Sequence, residues 1–292
     1  MGHRSGFVNI LGNPNVGKST IMNALVGEKL SIITAKAQTT RHRIMGIVNG
    51  EDFQIVYSDT PGILKPQYKL QETMMEFVKT ALTDADTILY VTDVHEKNAY
   101  EGGYIERIKS SGIPVIIAIN KVDLTNQHDL ELIVESWHKQ FPSSPVIPLS
   151  ALKKFNLETL LNAILMKLPE GPPYFPKDQL TDKYERFFAS EIIREKILIH
   201  YQKEIPYSVE IEIESFHDEK AIINIRAVIH VARDSQKGII IGHKGTMLKR
   251  VGMEARKDME SFFGKKVFLE LYVKVTKDWR DKPLTLKRFG YQ

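Results

Sequence analysis

The stretch GNPNVGKS, from Gly12 to Ser19, decides the fold of the first part of the chain. It matches the pattern G-x-x-x-x-G-K-[ST] in full, and it lies between an apolar run, Phe7–Leu11, and a predicted helix, Ser19–Val26. The glycines allow the backbone to wrap a phosphate, Lys18 reaches the β- and γ-phosphates, and Ser19 Oγ is placed to ligate Mg²⁺. The pattern in this context predicts a nucleoside-triphosphate site; the alternative is a chance glycine turn.

Strand and helix patterns alternate outward from this loop, from residue 6 to about 168. The Asn49-Gly50 turn joins two of the strands as a hairpin. The alternation predicts an α/β domain with a mixed sheet between helices. Strands are expected at Phe7–Leu11, Ile44–Val48, Phe53–Tyr57, Thr87–Val91, Val115–Ile119 and Val146–Leu149, and helices at Ser19–Val26, Tyr68–Leu82, Glu101–Ser110, Leu130–Gln140 and Leu157–Leu168.

Three further polar segments each follow a predicted strand. They are Asp59-Thr60-Pro61-Gly62, Asn120-Lys121-Val122-Asp123 and Ser150-Ala151. Ligands of open α/β sheets bind at the carboxyl ends of the strands. We therefore expect these segments to meet the phosphate loop at one edge of the sheet, although each alone is weak evidence and the first alone is as compatible with an ordinary turn.

The side chains of these segments favour guanine over adenine. Asp123 can accept hydrogen bonds from guanine N1–H and N2–H₂, and adenine would leave this carboxylate unpaired. Asp59 is expected to hold Mg²⁺, and Ser150-Ala151 is expected to supply a backbone N–H to guanine O6. The expected nucleotide-binding residues are Gly12, Asn13, Pro14, Asn15, Val16, Gly17, Lys18, Ser19, Asp59, Thr60, Pro61, Gly62, Asn120, Lys121, Asp123, Ser150 and Ala151.

With these motifs in this order, residues 6–168 resemble the Ras-like GTPases, and within them the bacterial Era family with its G-x-P-N-V-G-K-S pattern. The segment KAQTTRHR, Lys36–Arg43, resembles the first switch loop of that family, although its composition also suits a plain surface loop. The resemblance implies a Ras-like P-loop GTPase domain with GTP, GDP and Mg²⁺ as ligands. It also implies Thr40 as an Mg²⁺ ligand beside Ser19 and Asp59.

One position departs from the Ras pattern. Ile63 stands where Ras-type enzymes carry a glutamine that orients the attacking water, and isoleucine has no hydrogen-bonding group. Either hydrolysis is slow and needs a partner, or another group stabilises the transition state. In several relatives the asparagine that matches Asn15 helps to hold K⁺, which neutralises charge where an arginine finger otherwise acts. The alternative is that Asn15 only shapes the loop.

Prolines mark the end of the first domain. Pro169, Pro172, Pro173 and Pro176 fall within eight residues, and four prolines cannot continue a helix or a central strand. We therefore expect a GTPase domain at residues 1–170, a proline-rich linker at 171–180 and a second domain at 181–292 with a basic tail.

A second glycine loop, Gly242-His243-Lys244-Gly245, precedes the predicted helix Thr246–Phe263. Alone it indicates only a turn, but predicted strands at Ser208–Ser215, Ala221–Ala232 and Val267–Val275 surround it. This context fits an α+β type II KH domain, in which such a loop clamps single-stranded RNA. The expected RNA-binding residues are Ile240, Ile241, Gly242, His243, Lys244, Gly245, Lys249 and Arg250.

The charge distribution agrees with a polyanionic partner for the second domain. Residues 233–292 hold 15 Lys and Arg against 7 Asp and Glu, a balance of +8, whereas residues 1–180 hold 18 against 19. A solvated basic surface is the alternative. Trp279 in the tail is compatible with stacking on a base or with anchoring the tail.

Composition excludes other classes of function. The chain has no cysteine, which excludes disulfides, thiolate metal sites and a cysteine nucleophile. The first ten residues contain no signal-peptide apolar segment, so a cytoplasmic location is expected.

The Era resemblance extends into the second half, at Glu191–Lys196, Ile205–Val209 and Glu254–Met259. It implies a GTP-hydrolysing switch, expected to be a monomer, that binds the 3′ end of 16S rRNA and assists assembly of the 30S ribosomal subunit. Weak peripheral association with the inner face of the cell membrane is attributed to the family. The alternatives are an RNA-binding assembly factor in which GTP is mainly structural, and a membrane-associated signalling GTPase.

Overall fold

A computed structural model of the chain describes residues 2–96 and 103–291. Contacts within it define two units, one of Met1–Pro66 with Met74–Asp182 and the other of Gln67–Thr73 with Lys183–Gln292. In the described ranges, every helix is too short or too polar to cross a lipid bilayer.

The predicted alternation of strands and helices is confirmed between residues 4 and 167. The start of the helix predicted at Glu101–Ser110 lies outside the described residues. The strands are β1 (Arg4–Leu11), β2 (Ile44–Asn49), β3 (Phe53–Asp59), β4 (Thr87–Asp93), β5 (Val115–Asn120) and β6 (Val146–Pro148), and the helices are α1 (Lys18–Val26), α2 (Lys69–Thr83), α3 (Tyr104–Ser110), α4 (Gln127–Gln140) and α5 (Leu157–Lys167).

These strands form one mixed sheet in the order β2-β3-β1-β4-β5-β6. Among the described pairs of this sheet, only the β2–β3 hairpin is antiparallel, which confirms the predicted hairpin. Its turn is residues 50–52 and not Asn49-Gly50, because Asn49 pairs with Gln54 as the last residue of β2. Every residue of β4 and β5 is buried, because their apolar runs lie between helices on both faces. The carboxyl ends of β1, β3, β5 and β6 therefore bring the predicted motifs to one edge.

Residues 171–182, which include the predicted linker, run along the first unit. The Gln54 side chain donates to Phe175 O and accepts from the N–H groups of Tyr174 and Phe175. The Thr181 hydroxyl donates to Met45 O, and the Met45 N–H donates to Asp182 Oδ1. Proline-rich composition predicts that regular structure ends here, but it does not reveal these contacts.

The second unit contains α6 (Glu185–His200), β7 (Val209–Asp218), β8 (Ile222–Val231), α7 (Asp234–Ile241), α8 (Thr246–Phe263), β9 (Lys266–Val275) and α9 (Pro283–Arg288). Its sheet has the order β7-β8-β9, in which β8 is antiparallel to β7 and parallel to β9. Fully buried Ile193 and Ile197 of α6 and Val251, Ala255 and Met259 of α8 contribute to the core. This arrangement is the predicted KH fold.

The segment after β9 packs into the second unit. Trp279 is fully buried, and its Nε1–H donates to Ser208 O at 3.0 Å. Tyr291 is also buried, and its hydroxyl donates to Glu210 Oε2 at 2.7 Å. Of the two roles that the sequence left open for Trp279, the structure therefore supports anchoring.

Trp279→Ala is expected to lower the free energy of unfolding of the second unit by about 3–5 kcal/mol, because it leaves a cavity and an unpaired Ser208 carbonyl. Urea denaturation followed by far-UV circular dichroism measures this loss. Trp279→Phe keeps an aromatic ring but loses the hydrogen bond, so its loss should be smaller. An Ala variant as stable as the unsubstituted protein would contradict the anchoring role.

Candidate functional site

The predicted phosphate loop joins β1 to α1 through two glycines with positive φ. Gly12 has φ 147° and Gly17 has φ 98°, in the range that residues with a side chain rarely adopt. A Cβ at Gly12 would lie 2.1 Å from the Val91 carbonyl oxygen, and one at Gly17 would lie 2.2 Å from Asn120 Nδ2. Both space and backbone geometry therefore require glycine at these positions.

Lys18 lies at the base of this loop and is 6% exposed. Its ammonium donates to the carbonyls of Gly12 at 3.0 Å and Asn13 at 2.8 Å. Burial lowers the pKa of Lys18 to about 8, while the nearby carboxylates of Asp59 and Glu96 oppose that shift. The side chain therefore remains mostly protonated at pH 7 and places a positive charge inside the loop.

The three residues predicted to ligate Mg²⁺ come from separate segments and meet at one point. Ser19 Oγ donates to Asp59 Oδ2 at 2.6 Å and lies 2.9 Å from Thr40 Oγ1. Thr40 Oγ1 also donates to Asp59 Oδ2, at 3.3 Å. Burial raises the pKa of Asp59, against the hydrogen bond from Ser19 and the charge of Lys18. Converging hydroxyl and carboxylate oxygens are ligands that suit Mg²⁺.

The segment Asp59–Gly62 continues from β3 along the phosphate loop. The buried Thr60 hydroxyl donates to Ile10 O at 2.7 Å, and the Ile63 N–H donates to Gly12 O at 3.1 Å. A Cβ at Gly62 would lie 2.7 Å from Pro14 Cα, so the two backbones are in close contact. Ile63 is 2% exposed, so its side chain packs in the core.

Asn120 connects the loops on the other side of the site. Its Nδ2 donates to Val16 O at 2.9 Å, and its Oδ1 accepts from the Ala151 N–H at 3.0 Å. Lys121 has φ 63°, and its ammonium donates to Asn15 O at 2.6 Å and to Asp93 Oδ2 at 2.5 Å. These contacts fix the strand ends around the predicted base site.

Asp123 is exposed in a short 3₁₀ turn, Val122–Leu124, and faces the same cavity as the phosphate loop. The cavity has a volume of about 590 Å³, and Leu152 also lines it. The Ser150 N–H donates to Phe155 O, and the Ala151 N–H donates to Asn120. An N–H of these two residues can therefore contact guanine O6, as the sequence predicts, only by sharing its hydrogen bond or exchanging partners.

The sequence did not reveal a carboxylate behind the phosphate loop. Asn13 Nδ2 and the Thr92 hydroxyl both donate to the carboxylate of Glu96, just beyond β4. Burial raises the pKa of Glu96, against the hydrogen bond from Thr92. The sequence alone does not connect Glu96 or Asp93 with the nucleotide site, because their partners there, Asn13 and Lys121, lie 83 and 28 residues away.

In the second unit, the predicted RNA loop joins α7 to α8. Gly242 has φ 72° and Gly245 has φ 78°, and a Cβ at Gly242 would lie 2.7 Å from Met247 Cγ. His243 and Lys244 between them are exposed. Lys249 and Arg250 in the first turns of α8 are exposed as well, so this corner presents a cluster of basic side chains.

Comparison with known proteins extends over both units. A family model described as 50S ribosome-binding GTPase matches residues 7–121, and a KH domain model matches residues 204–280. A crystal structure of Era in complex with MgGDPNP and nucleotides 1506–1542 of 16S rRNA is 41% identical, with 99% of each chain covered and a TM-score of 0.95. The chain belongs to the Era family.

A second Era structure supports this assignment. It is a variant of Aquifex aeolicus Era bound to GDP·AlF₄⁻, also 41% identical over 99% of each chain, with a TM-score of 0.94. The predicted fold class, a Ras-like GTPase domain followed by a KH domain, is therefore confirmed for this Era-family chain.

One predicted RNA contact of this Era-family chain needs correction. Ile240 is fully buried, and its carbonyl accepts a hydrogen bond from the Tyr201 hydroxyl at 2.7 Å. The run Ile239–Ile241 forms the last turn of α7, so helical geometry directs Ile240 into the core and leaves Ile239 49% exposed. Ile240 belongs to the core of the second unit, so its side chain does not line a groove. Ile241 is half-buried.

A groove beside the glycine loop contains the predicted Gly245 and Lys249 together with residues that the sequence did not reveal. It has a volume of about 380 Å³ between α8 and β9. The groove residues on α8 follow Gly245 at helical spacing, so the position of the glycine loop could have identified them from the sequence. The lining residues are Gly245, Leu248, Lys249, Gly252, Met253, Arg256, Leu269 and Leu271.

Proposed function

We propose that this protein is a GTP-binding and GTP-hydrolysing switch that binds single-stranded RNA near the 3′ end of 16S rRNA and assists assembly of the 30S subunit. One observation supports this proposal more strongly than the others. The similarity to an Era bound to MgGDPNP and 16S rRNA nucleotides covers 99% of the chain, so it includes both the nucleotide cavity and the KH loop.

The first unit supplies the groups that such a switch needs. Lys18 and the N–H groups at the start of α1 bind phosphate oxygens, and the Asp123 carboxylate selects guanine. Ser19, Thr40 and Asp59 would hold Mg²⁺, which neutralises phosphate charge when bound. Thr40 belongs to the predicted switch loop, so its position links the nucleotide state to the conformation of residues 36–43.

Hydrolysis in this site must proceed without a glutamine, because Ile63 is buried and has no polar group. We propose Asn15 as the residue that recruits K⁺. Asn15 is exposed, lines the nucleotide cavity and is held at φ 65°. Its carbonyl accepts from Lys121, which fixes the backbone while the side chain faces solvent.

We expect GTP turnover on the order of tenfold faster in KCl than in NaCl at equal concentration, since a well-placed cation stabilises developing charge. In Asn15→Ala this ratio should fall to about one. Phosphate release under single-turnover conditions measures this ratio, with Lys139→Ala at an exposed position of α4 as a control. Equal rates in both salts for the unsubstituted protein would remove K⁺ from the mechanism.

The second unit supplies an RNA site with a basic rim. Gly242 and Gly245 allow the backbone to approach sugar and phosphate, and His243 and Lys244 are placed to contact phosphates. The adjoining groove has leucine and methionine side chains against which bases can pack, with Lys249 and Arg256 at its wall. This combination suits a single strand better than a duplex.

Co-sedimentation with 30S subunits in GDPNP and in GDP tests the proposal, because a switch should bind differently in the two states. GTP turnover with and without a 16S 3′-end oligonucleotide separates it from an assembly factor with structural GTP, for which RNA should not change turnover.

We also propose a cytoplasmic, monomeric protein. Flotation with anionic vesicles tests the peripheral membrane association that the family resemblance implies.

A further inference from the structure

Arg43, at the end of the predicted switch loop, makes contacts that no expected role explains. Its guanidinium binds both carboxylate oxygens of Asp84, with Nη1 at 2.5 Å from Oδ2 and Nη2 at 3.0 Å from Oδ1. The same group donates through Nε to Ser58 Oγ at 2.5 Å and through Nη2 to Asn9 Oδ1 at 3.2 Å. The Arg43 side chain is only 11% exposed, so these bonds replace most of its hydration.

The partners of Arg43 lie next to residues of the nucleotide site. Ser58 directly precedes Asp59, Asn9 is three residues before Gly12, and Arg43 itself is three residues after Thr40. Asn9 and Ser58 are neighbours across β1 and β3. One guanidinium therefore connects the three segments that supply the phosphate loop, the carboxylate and the switch-loop hydroxyl.

Asp84 extends this connection to α2. It lies just beyond the end of that helix, and Asn9 Nδ2 donates both to its Oδ1 and to Ala81 O, each at 2.7 Å. Asn9 and Ser58 are fully buried, whereas the Asp84 side chain is 42% exposed. A bidentate arginine–carboxylate pair has fixed geometry, so it holds the stem of the switch loop against a buried frame.

We propose that Arg43, clamped by Asp84, is a positioning residue that favours the GTP-bound over the GDP-bound state. The proposal rests on the proposed switch function. Switch loops are ordered by the γ-phosphate and Mg²⁺ and released after hydrolysis. Because the stem of the switch loop is already fixed, Thr40 loses less conformational freedom when the loop closes on GTP. The Arg43–Asp84 clamp therefore supports GTP binding and leaves GDP binding largely unaffected.

The ratio of the affinities for GDPNP and GDP tests the proposed role of Arg43. Arg43→Ala and Asp84→Ala should each raise the ratio of the Kd for GDPNP to the Kd for GDP about tenfold, with GDP affinity changed less than about twofold. The double variant should lose less than the sum of the two single effects, because both substitutions break the shared Arg43–Asp84 pair. Lys79→Ala is the control, since it breaks an exposed ion pair with Glu76 on the same helix. Asp84→Asn serves if Arg43→Ala fails to fold.

Amide hydrogen exchange without nucleotide provides an independent readout. Residues 36–43 should exchange faster in Arg43→Ala and Asp84→Asn than in the unsubstituted protein, and Lys79→Ala should match the latter. Unchanged exchange there, or equal loss of GDP and GDPNP affinity, would overturn the clamp. Absence of guanine-nucleotide binding by the unsubstituted protein would overturn the proposed function instead, and the exchange result would still decide whether the clamp orders the loop.

Discussion

Asp123→Asn is expected to reverse the base preference of the nucleotide site, so that xanthosine triphosphate binds better than GTP. The carboxylate accepts from both guanine N1–H and N2–H₂, whereas the introduced amide directs an N–H₂ toward a guanine donor. Xanthine has a carbonyl at C2, which accepts from that amide. Each unmatched buried group costs about 1–3 kcal/mol, so GTP affinity should fall by about 5- to 150-fold.

Asp123 is exposed, and among the described residues no side-chain hydrogen bond occupies its carboxylate, so this group is available to a base. Isothermal titration with GTP, XTP and ATP measures the preference. Asp129→Asn, at an exposed position of α4, is a matched control and should leave GTP binding unchanged. If the unsubstituted protein binds ATP as tightly as GTP, the role assigned to Asp123 is wrong.

His243→Asp combined with Lys244→Asp is expected to abolish binding to a 16S 3′-end oligonucleotide. Both side chains are exposed between glycines with positive φ, so the change places two negative charges where phosphates should approach. On single strands each phosphate contact contributes about −0.7 to the slope of log affinity against log salt, so loss of Lys244 alone should flatten that slope by about 0.7. Fluorescence anisotropy at several salt concentrations measures both effects.

A charge-matched control lies at the hairpin end of β7 and β8, with His217 next to the last residue of β7 and Lys220 in the turn that follows. His217→Asp combined with Lys220→Asp changes the net charge equally, and this turn lies at the end of β8 farthest from α7. RNA affinity should change little in this control, and GTP affinity should change in neither variant. Unchanged RNA affinity in a folded loop variant would show that the loop does not bind RNA, and the basic residues after Val275 would be the next candidates.

The sequence predicted most reliably those features that depend on neighbours in the chain. The Gly12–Ser19 motif and the Asn49-Gly50 hairpin need only a few adjacent residues, and helix Thr246–Phe263 has the predicted bounds because a glycine precedes it and another follows it. The RNA contact predicted for Ile240 was wrong because three consecutive isoleucines show neither strand nor helix periodicity. Only the helix of the structure places Ile240 in the core.

Features that depend on contacts between residues distant in the chain could not be predicted from a single sequence. Arg43 and Asp84 are 41 residues apart, and nothing in KAQTTRHR distinguishes a clamped arginine from a solvated one. Trp279 and Ser208 are 71 residues apart, so burial of the tail followed only from the fold. The order of the GTPase motifs was informative because strand order in an open sheet brings their ends together, whatever their spacing.

The close approach of Gly62 to Pro14 has a consequence for protein engineering. Because a methyl group at Gly62 would lie within 2.8 Å of the Pro14 nitrogen and Cγ, the two positions form one steric unit although 48 residues separate them. A phosphate loop grafted from another nucleotide-binding protein, with a different backbone at position 14, would not fit against this segment. Recombination libraries should therefore exchange residues 12–19 and 59–62 together.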